Sequence, residues 1–155
     1  MLRNFFVVGL LGMASAGSAF AAPLPSCGCA PGSIQLTDAA LVTALSNKMA
    51  CAVVGQEEWQ EFHQGATAAG GNLIDYKKGP TDPVDPSATV GTWAILDSTQ
   101  GSPVQYTYGV TSYKYTVCAQ GANTHFCGAQ FGGRDIMNAK VGGSGGSPQS
   151  CASIP

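Results

Sequence analysis

The sequence predicts a small, mainly β domain in which about eight antiparallel strands form an up-and-down meander that closes into a barrel, with one short amino-terminal helix. The clearest evidence lies in the segment 90–127, where four short apolar runs are separated by turn residues. In its second run Tyr106 and Tyr108 alternate with Gln105 and Thr107. Such period-2 patterning is typical of half-buried antiparallel strands. A β-sandwich is the alternative architecture.

The first 21 residues have the features of a secretory signal peptide. Arg3 gives a basic start, the segment 5–13 is apolar, and Ala19 and Ala21 form a small-x-small cleavage site. The apolar run is too short to anchor the chain across a bilayer. We therefore expect an exported protein, periplasmic or secreted, whose residues 22–155 form a single β domain held by disulfides, without a membrane span.

Composition limits the classes of partner. Nine acidic residues stand against seven basic ones, the formal net charge is −2, and no basic block occurs. This balance argues against nucleic acid or an anionic membrane as a partner. No complete cofactor or metal motif is present. The expected partner of the exported domain is a small-molecule ligand or a protein of the cell envelope.

The cysteine content indicates disulfide bonds rather than a metal centre. All six cysteines follow the cleavage site, and an even number of cysteines in an exported chain is typical of a disulfide framework. We expect every one of them to be paired: Cys27, Cys29, Cys51, Cys118, Cys127 and Cys151.

The pairing can be tested against the strand pattern. A two-residue turn at 122–123 would place Cys118 directly opposite Cys127, with His125 on the same outer face in a structural role. The two amino-terminal cysteines would then pair with the two that remain, in either order. A competing arrangement joins Cys51 to Cys127 and leaves Cys118 for the amino-terminal pair.

The first predicted element is a helix of two to three turns. Thr37 is a suitable N-cap, Asp38 suits the positive helix end, and Leu41 and Leu45 recur at helical spacing before Asn47 closes the element. So short a helix is not stable alone, so we expect it to cover one end or edge of the sheet.

The strands follow with short connections, which favours a meander. A proline-rich segment, 79–87, is predicted to be a stiff loop. The tail 142–155 has the composition of a flexible linker, but Cys151 should tie it down. The predicted strands are 49–54, 57–63, 72–78, 90–97, 103–109, 112–119, 124–130 and 135–141.

One of these segments, 56–64, is ambiguous. As a helix it would place Trp59 and Phe62 on one face, with glycines ending it. As a strand it would place Trp59, Glu61 and His63 on one face and Phe62 on the other. We prefer the strand, paired with the run at 72–78.

The run Gly91-Thr92-Trp93, the tyrosine-rich meander and the leading helix resemble small exported bacterial barrels of lipocalin-like or avidin-like shape. The segment LIDYKKGP…VGTW is also similar to that of small uncharacterised exported proteins of proteobacteria. The resemblance extends over residues 45–141. It implies a barrel and carries no ligand residue over to this chain.

The best local cluster of polar side chains is Trp59, Glu61 and His63 together with Asp75 and Tyr76 on the partner strand. A carboxylate beside an imidazole can act as acid and base or hold a metal. These residues either face solvent near a strand end or face inward. Facing inward, they would form a polar patch that marks a ligand pocket, because buried polar groups need partners.

The aromatic residues of the central strands either line a ligand cavity or fill the barrel, since eight strands leave an interior that side chains can occupy. The residues that we predict to bind a ligand are Trp59, Glu61, His63, Asp75, Tyr76, Trp93, Tyr106 and Tyr108. No catalytic residue and no metal ligand is assigned.

Three functions follow from these observations. The first is a non-enzymatic exported barrel that binds a small ligand or an envelope protein. The second is a structural or surface-interaction protein with a filled core. The third is a hydrolase or lyase that uses Glu61, His63 and Asp75.

Overall fold

The computed structural model describes residues 29–55, 57–76, 87–97, 99, 101–143 and 146–154. The predicted signal peptide, Cys27 and most of the proline-rich loop lie outside these ranges. The described elements, in chain order, are β1 (Ile34–Leu36), α1 (Asp38–Leu45), β2 (Met49–Val54), β3 (Glu57–His63), β4 (Gly71–Tyr76), β5 (Ser87–Ile95), β6 (Val104–Tyr108), β7 (Thr111–Gln120), β8 (Asn123–Cys127) and β9 (Ile136–Gly142).

The strands β2 to β9 form a closed antiparallel barrel, as predicted from the meander pattern. Each strand pairs with the next along the chain, and β9 returns to β2, where Val141 lies opposite Ala50. Closure removes the unpaired strand edges that would otherwise invite aggregation. In the part of the chain that the structure describes, no helix is long and apolar enough to cross a bilayer.

The ambiguous segment is strand β3, as preferred from the sequence. It pairs with β2, where Trp59 lies opposite Ala52, and with β4, where His63 lies opposite Leu73. Ala52 contacts the barrel core, and this register therefore turns Trp59, Glu61 and His63 towards the interior. Phe62 faces the outer wall.

The structure differs most from the predicted strands at β8 and at β1. Strand β8 ends at Cys127 rather than continuing to 130, because the Asp135 Oδ1 atom accepts hydrogen bonds from the backbone N–H groups of Gly128 and Ala129, at 2.8 and 2.9 Å. A 3-10 turn then follows at Ala129–Phe131. The short strand β1 was not predicted, because three residues are too few for a periodic pattern.

The helix closes one end of the barrel. Its Leu41 and Leu45 side chains are fully buried in the core formed by the strands. Thr37 is the N-cap residue, as predicted, but its side chain makes no capping hydrogen bond. Asp38 accepts a hydrogen bond of 2.7 Å from the Ser102 hydroxyl. After the helix, the Asn47 N–H donates to the carbonyl oxygen of His63 at 2.7 Å, which fixes the helix against the end of β3.

Aromatic side chains fill the interior. Trp93, Tyr106 and Phe126 are each at most 1% exposed. Ring centroids of Tyr106 and Tyr115 are 5.5 Å apart, and those of Trp59 and Phe126 are 5.0 Å apart in a T-shaped contact. These separations are typical of packed aromatic pairs, so the middle of the barrel is a core rather than a ligand cavity.

The predicted pairing of Cys118 with Cys127 is wrong. The turn after β7 uses Gly121 and Ala122, with Gly121 at a φ of +58°, a conformation that glycine adopts without steric cost. This register places Cys118 opposite His125 and moves Cys127 opposite Thr116. The Cys118 and Cys127 sulfur atoms are 4.0 Å apart, about twice the length of a disulfide bond.

The disulfides that form instead follow from the strand neighbours. Strand β1 lies along β7, with Gln35 opposite Cys118, and this brings Cys29 into a bond with Cys118. Strand β9 lies beside β2, so the tail returns across β2 and Cys151 bonds to Cys51. Cys127 is also disulfide-bonded.

The tail is therefore held on the outer wall, as expected from the position of Cys151. Ile154 and Cys151 pack against an outer cluster that contains Met49 and Phe62. The predicted pairing of the two amino-terminal cysteines with Cys51 and Cys151 is wrong, because closure of the barrel places β9 beside β2 and so brings Cys151 to Cys51. Of the competing arrangement, the bond between Cys118 and an amino-terminal cysteine is confirmed, whereas the bond between Cys51 and Cys127 is wrong.

Candidate functional site

Most of the predicted ligand-binding residues share the inner face of the barrel. The interpretation of the β3 cluster as solvent-facing is wrong, because Glu61 and His63 are buried. Asp75 lies directly opposite Glu61 in the β3–β4 register and so shares its face. Tyr76 is the exception, since it packs on the outer wall against the cluster of Met49 and Phe62.

The residues nearest the helix form a deep layer that is closed to a ligand. His63 is 0% exposed; its Nε2 atom accepts a 2.8 Å hydrogen bond from the Tyr106 hydroxyl, and its Nδ1–H donates to the Lys48 carbonyl oxygen at 3.3 Å. The Trp93 indole N–H donates to the carbonyl oxygen of Gln64 at 2.9 Å. Both ring nitrogens of His63 are thus used within the fold.

Burial also determines the charge of this histidine. It lowers the pKa of His63 to about 4, because the imidazolium form is poorly solvated in the core. His63 is therefore neutral at pH 7, and its two hydrogen bonds are those of a neutral ring. The hypothesis of a hydrolase or lyase needs this imidazole to reach a substrate, and its position in the core gives it no access.

A second layer lies at the other end of the barrel. Here the Tyr108 hydroxyl donates to both carboxylate oxygens of Glu61, at 2.6 and 2.8 Å, and Trp59 also hydrogen-bonds this carboxylate. Burial raises the pKa of Glu61 to about 7, and the charge of Asp75 acts in the same direction, whereas the two hydrogen bonds oppose it. Glu61 therefore changes its charge close to neutral pH.

Aromatic rings surround this carboxylate and reach solvent. Trp59 and Tyr108 are half-buried, and Tyr113 is 42% exposed, with its ring centroid 6.0 Å from that of Tyr108 in a T-shaped contact. We call the group of Trp59, Glu61, Asp75, Tyr108 and Tyr113 the mouth. Tyr113 is absent from the predicted ligand-binding residues, although the alternation of β7 already places it on the inner face.

His125 has a structural role, as expected. Its Nδ1 atom accepts a hydrogen bond from the backbone N–H of Asn138 at 3.0 Å, which leaves the ring N–H on Nε2. That N–H donates to the Gln120 side-chain oxygen at 3.0 Å. His125 thereby joins Asn138 of β9 to Gln120 at the end of β7.

The chain was compared with protein families, with curated proteins and with solved structures. No protein-family model, no curated protein and no solved structure matches the chain.

Proposed function

We propose that this chain is an exported, lipocalin-like binding module whose mouth binds a small organic cation. The observation that carries the proposal is the Glu61 carboxylate, which is 5% exposed, opposed by Asp75 and surrounded by aromatic side chains. A carboxylate with aromatic faces beside it is the chemistry that recognises substituted ammonium groups.

The electrostatics of the mouth favour a cation over a neutral ligand. Two carboxyl groups on opposed positions repel each other when both are ionised, and a positive charge between them relieves that repulsion. Trp59, Tyr108 and Tyr113 present rings whose faces attract cations. The filled core behind the mouth restricts the ligand to a small headgroup that rests at the rim.

Binding should depend on pH through Glu61. The pKa of this carboxyl is about 7, so its ionised fraction falls about tenfold between pH 8 and pH 6. A cation that binds the ionised form should therefore bind about tenfold more weakly at pH 6. The same linkage means that binding lowers the pKa of Glu61 and releases a proton.

The test compares choline with 3,3-dimethylbutanol, which has the same shape and lacks the charge. We expect choline to bind at pH 8, measured by the fluorescence and the indole N–H resonance of Trp59, and to bind about tenfold more weakly at pH 6. The neutral analogue should bind weakly at both values. Glu61→Gln should weaken choline binding and remove its pH dependence, whereas Asp97→Asn, which removes an exposed acidic residue after β5, should change neither.

A second candidate function is a structural or surface-interaction protein, and the filled core favours it. Packing of Trp93, Tyr106 and Phe126 leaves the middle of the barrel to side chains. Under this alternative, choline and 3,3-dimethylbutanol bind equally weakly at both pH values. That result would contradict the proposed cation site.

A further inference from the structure

A cleft on the outer wall of the barrel lies apart from the mouth. It has a volume of about 770 Å³ and is bounded by β2, β3 and β9 and by the tail residues 150–152. We call it the wall cleft. Its volume is within the range of small-molecule sites. The residues used below are Cys51, Val53, Glu58, Gln60, Lys140 and Cys151.

The wall cleft carries opposite charges on its two sides. Lys140 lies on β9 opposite Cys51, and Glu58 lies on β3 opposite Val53, with β2 between them. Two strand spacings and an offset of two residues separate the Cα atoms of Lys140 and Glu58 by about 12 Å. Among the residues that the structure describes, no carboxylate forms an ion pair with Lys140.

A buried amide orients the acidic side. Gln60 is 7% exposed, and its Nε2 atom donates to the Oε2 atom of Glu58 at 2.7 Å. Its side-chain oxygen accepts a hydrogen bond of 3.4 Å from the backbone N–H of Cys151. The tail, held by the Cys51–Cys151 disulfide, therefore fixes the Glu58 carboxylate through Gln60. Both ends of the Gln60 amide are used in this way.

Between the two charges the surface is apolar. Val53 is 70% exposed although it lines a concave surface, and the Cys51–Cys151 disulfide lies beside it. An exposed valine between a carboxylate and an ammonium group gives an apolar contact of the kind that binding sites combine with a few oriented polar groups. Val53 lies beside Glu58 and the disulfide-bonded Cys51 lies beside Lys140, so the line from one charge to the other crosses the three strands diagonally over these two side chains.

We propose that the wall cleft binds a short peptide with free termini. The peptide amino group lies at Glu58, its carboxylate lies at Lys140, and an apolar side chain packs on Val53. An extended tripeptide spans about 10 Å, which matches the separation of the two charges once the side chains extend towards the ligand. The site is independent of the mouth, since its residues face the outside of the barrel.

The test uses the tripeptide Ala-Leu-Ala and two blocked forms, the N-acetyl derivative and the carboxamide. We expect isothermal titration calorimetry to show that the free tripeptide binds the disulfide-intact protein about tenfold more tightly than either blocked form, because each block removes one charged hydrogen bond. Glu58→Gln should abolish the preference for the free amino group and keep that for the free carboxylate. Lys140→Gln should do the reverse.

Lys114→Gln is the matched control, because it removes a lysine from β7 on another part of the wall. It should leave all three affinities unchanged, and the unfolding temperature of each variant shows that the fold is intact. Equal binding of the free and blocked peptides to the wild-type protein would overturn the proposal. So would the absence of saturable binding at millimolar tripeptide.

Discussion

Replacing Cys29 and Cys118 together by serine is expected to lower the free energy of unfolding by about 4 kcal/mol. The bond joins residues 89 positions apart, so its loss frees a long loop in the unfolded chain. It also releases the amino-terminal segment that carries β1 along β7. Guanidinium unfolding of the oxidised variant and of the wild-type protein measures the difference.

The double substitution is needed because a single one would leave a reactive thiol. The Cys118 sulfur is 4.0 Å from that of Cys127, so a free thiol at Cys118 would be close enough to attack the disulfide of Cys127. Cys51→Ser with Cys151→Ser serves as the comparison, since it removes a bond of similar sequence separation and frees the tail instead. A loss below about 1 kcal/mol for the first pair would contradict the assigned pairing, as would peptide mapping that finds Cys118 joined to Cys127.

The second large effect concerns two buried titratable groups whose contributions to the pH dependence of stability oppose each other. The pKa of His63 is lowered to about 4, so its unfolded state takes up a proton below pH 6.5 while the folded state does not. This lowers stability as the pH falls from 6.5 to 4. The pKa of Glu61 is raised to about 7, so the unfolded state ionises above pH 4.5 while the folded state stays protonated. This lowers stability as the pH rises from 4.5 to 7.

Each group changes the free energy of unfolding by about 3 kcal/mol over the pH range between its unfolded and folded pKa. The two changes have opposite signs and nearly cancel between pH 4.5 and 6.5. Glu61→Gln removes the contribution of Glu61. Relative to the wild-type profile, we expect the free energy of unfolding of this variant to rise by about 3 kcal/mol between pH 4 and pH 6.5. The opposite slope is expected for His63→Gln, whose free energy of unfolding should fall by about 3 kcal/mol between pH 4.5 and pH 7.

Urea unfolding at half-unit pH intervals measures both slopes. The slope rather than the absolute stability is the readout, because His63→Gln also loses packing against Trp93 and the hydrogen bond from Tyr106. A profile for Glu61→Gln that runs parallel to the wild-type profile would show that this carboxyl is not buried.

The barrel could be predicted from the sequence because its strands are local and strongly patterned. The alternation of Val104, Tyr106 and Tyr108 identifies a strand without reference to any other part of the chain, and short connections then impose the meander. The β3 segment is harder to predict, because Trp59 and Phe62 share one face of a helix but lie on opposite faces of a strand. Its inner face depends on which residues of β2 it opposes, and that register is a long-range property.

The disulfides and the wall cleft depend on strand neighbours that are far apart in sequence. Moving the turn from 122–123 to Gly121 and Ala122 shifts the partner of Cys118 by two residues, from Cys127 to His125. The pairing of Cys51 with Cys151 requires β9 to lie beside β2, which only closure of the barrel establishes. The wall cleft requires the tail to cross that face, so no local pattern in the sequence reveals it.

The inward orientation of β3 underlies both the proposed cation site and the pH profile, and one measurement tests it directly. The side-chain carboxyl carbon of Glu61, labelled with ¹³C, can be followed by NMR while the disulfide-intact protein is titrated. We expect a midpoint near pH 7, because the carboxyl is buried beside Tyr108 and Trp59. A midpoint at the ordinary value of about 4.5 would show a solvated carboxyl on the outside of the barrel and would contradict the inward orientation of Glu61.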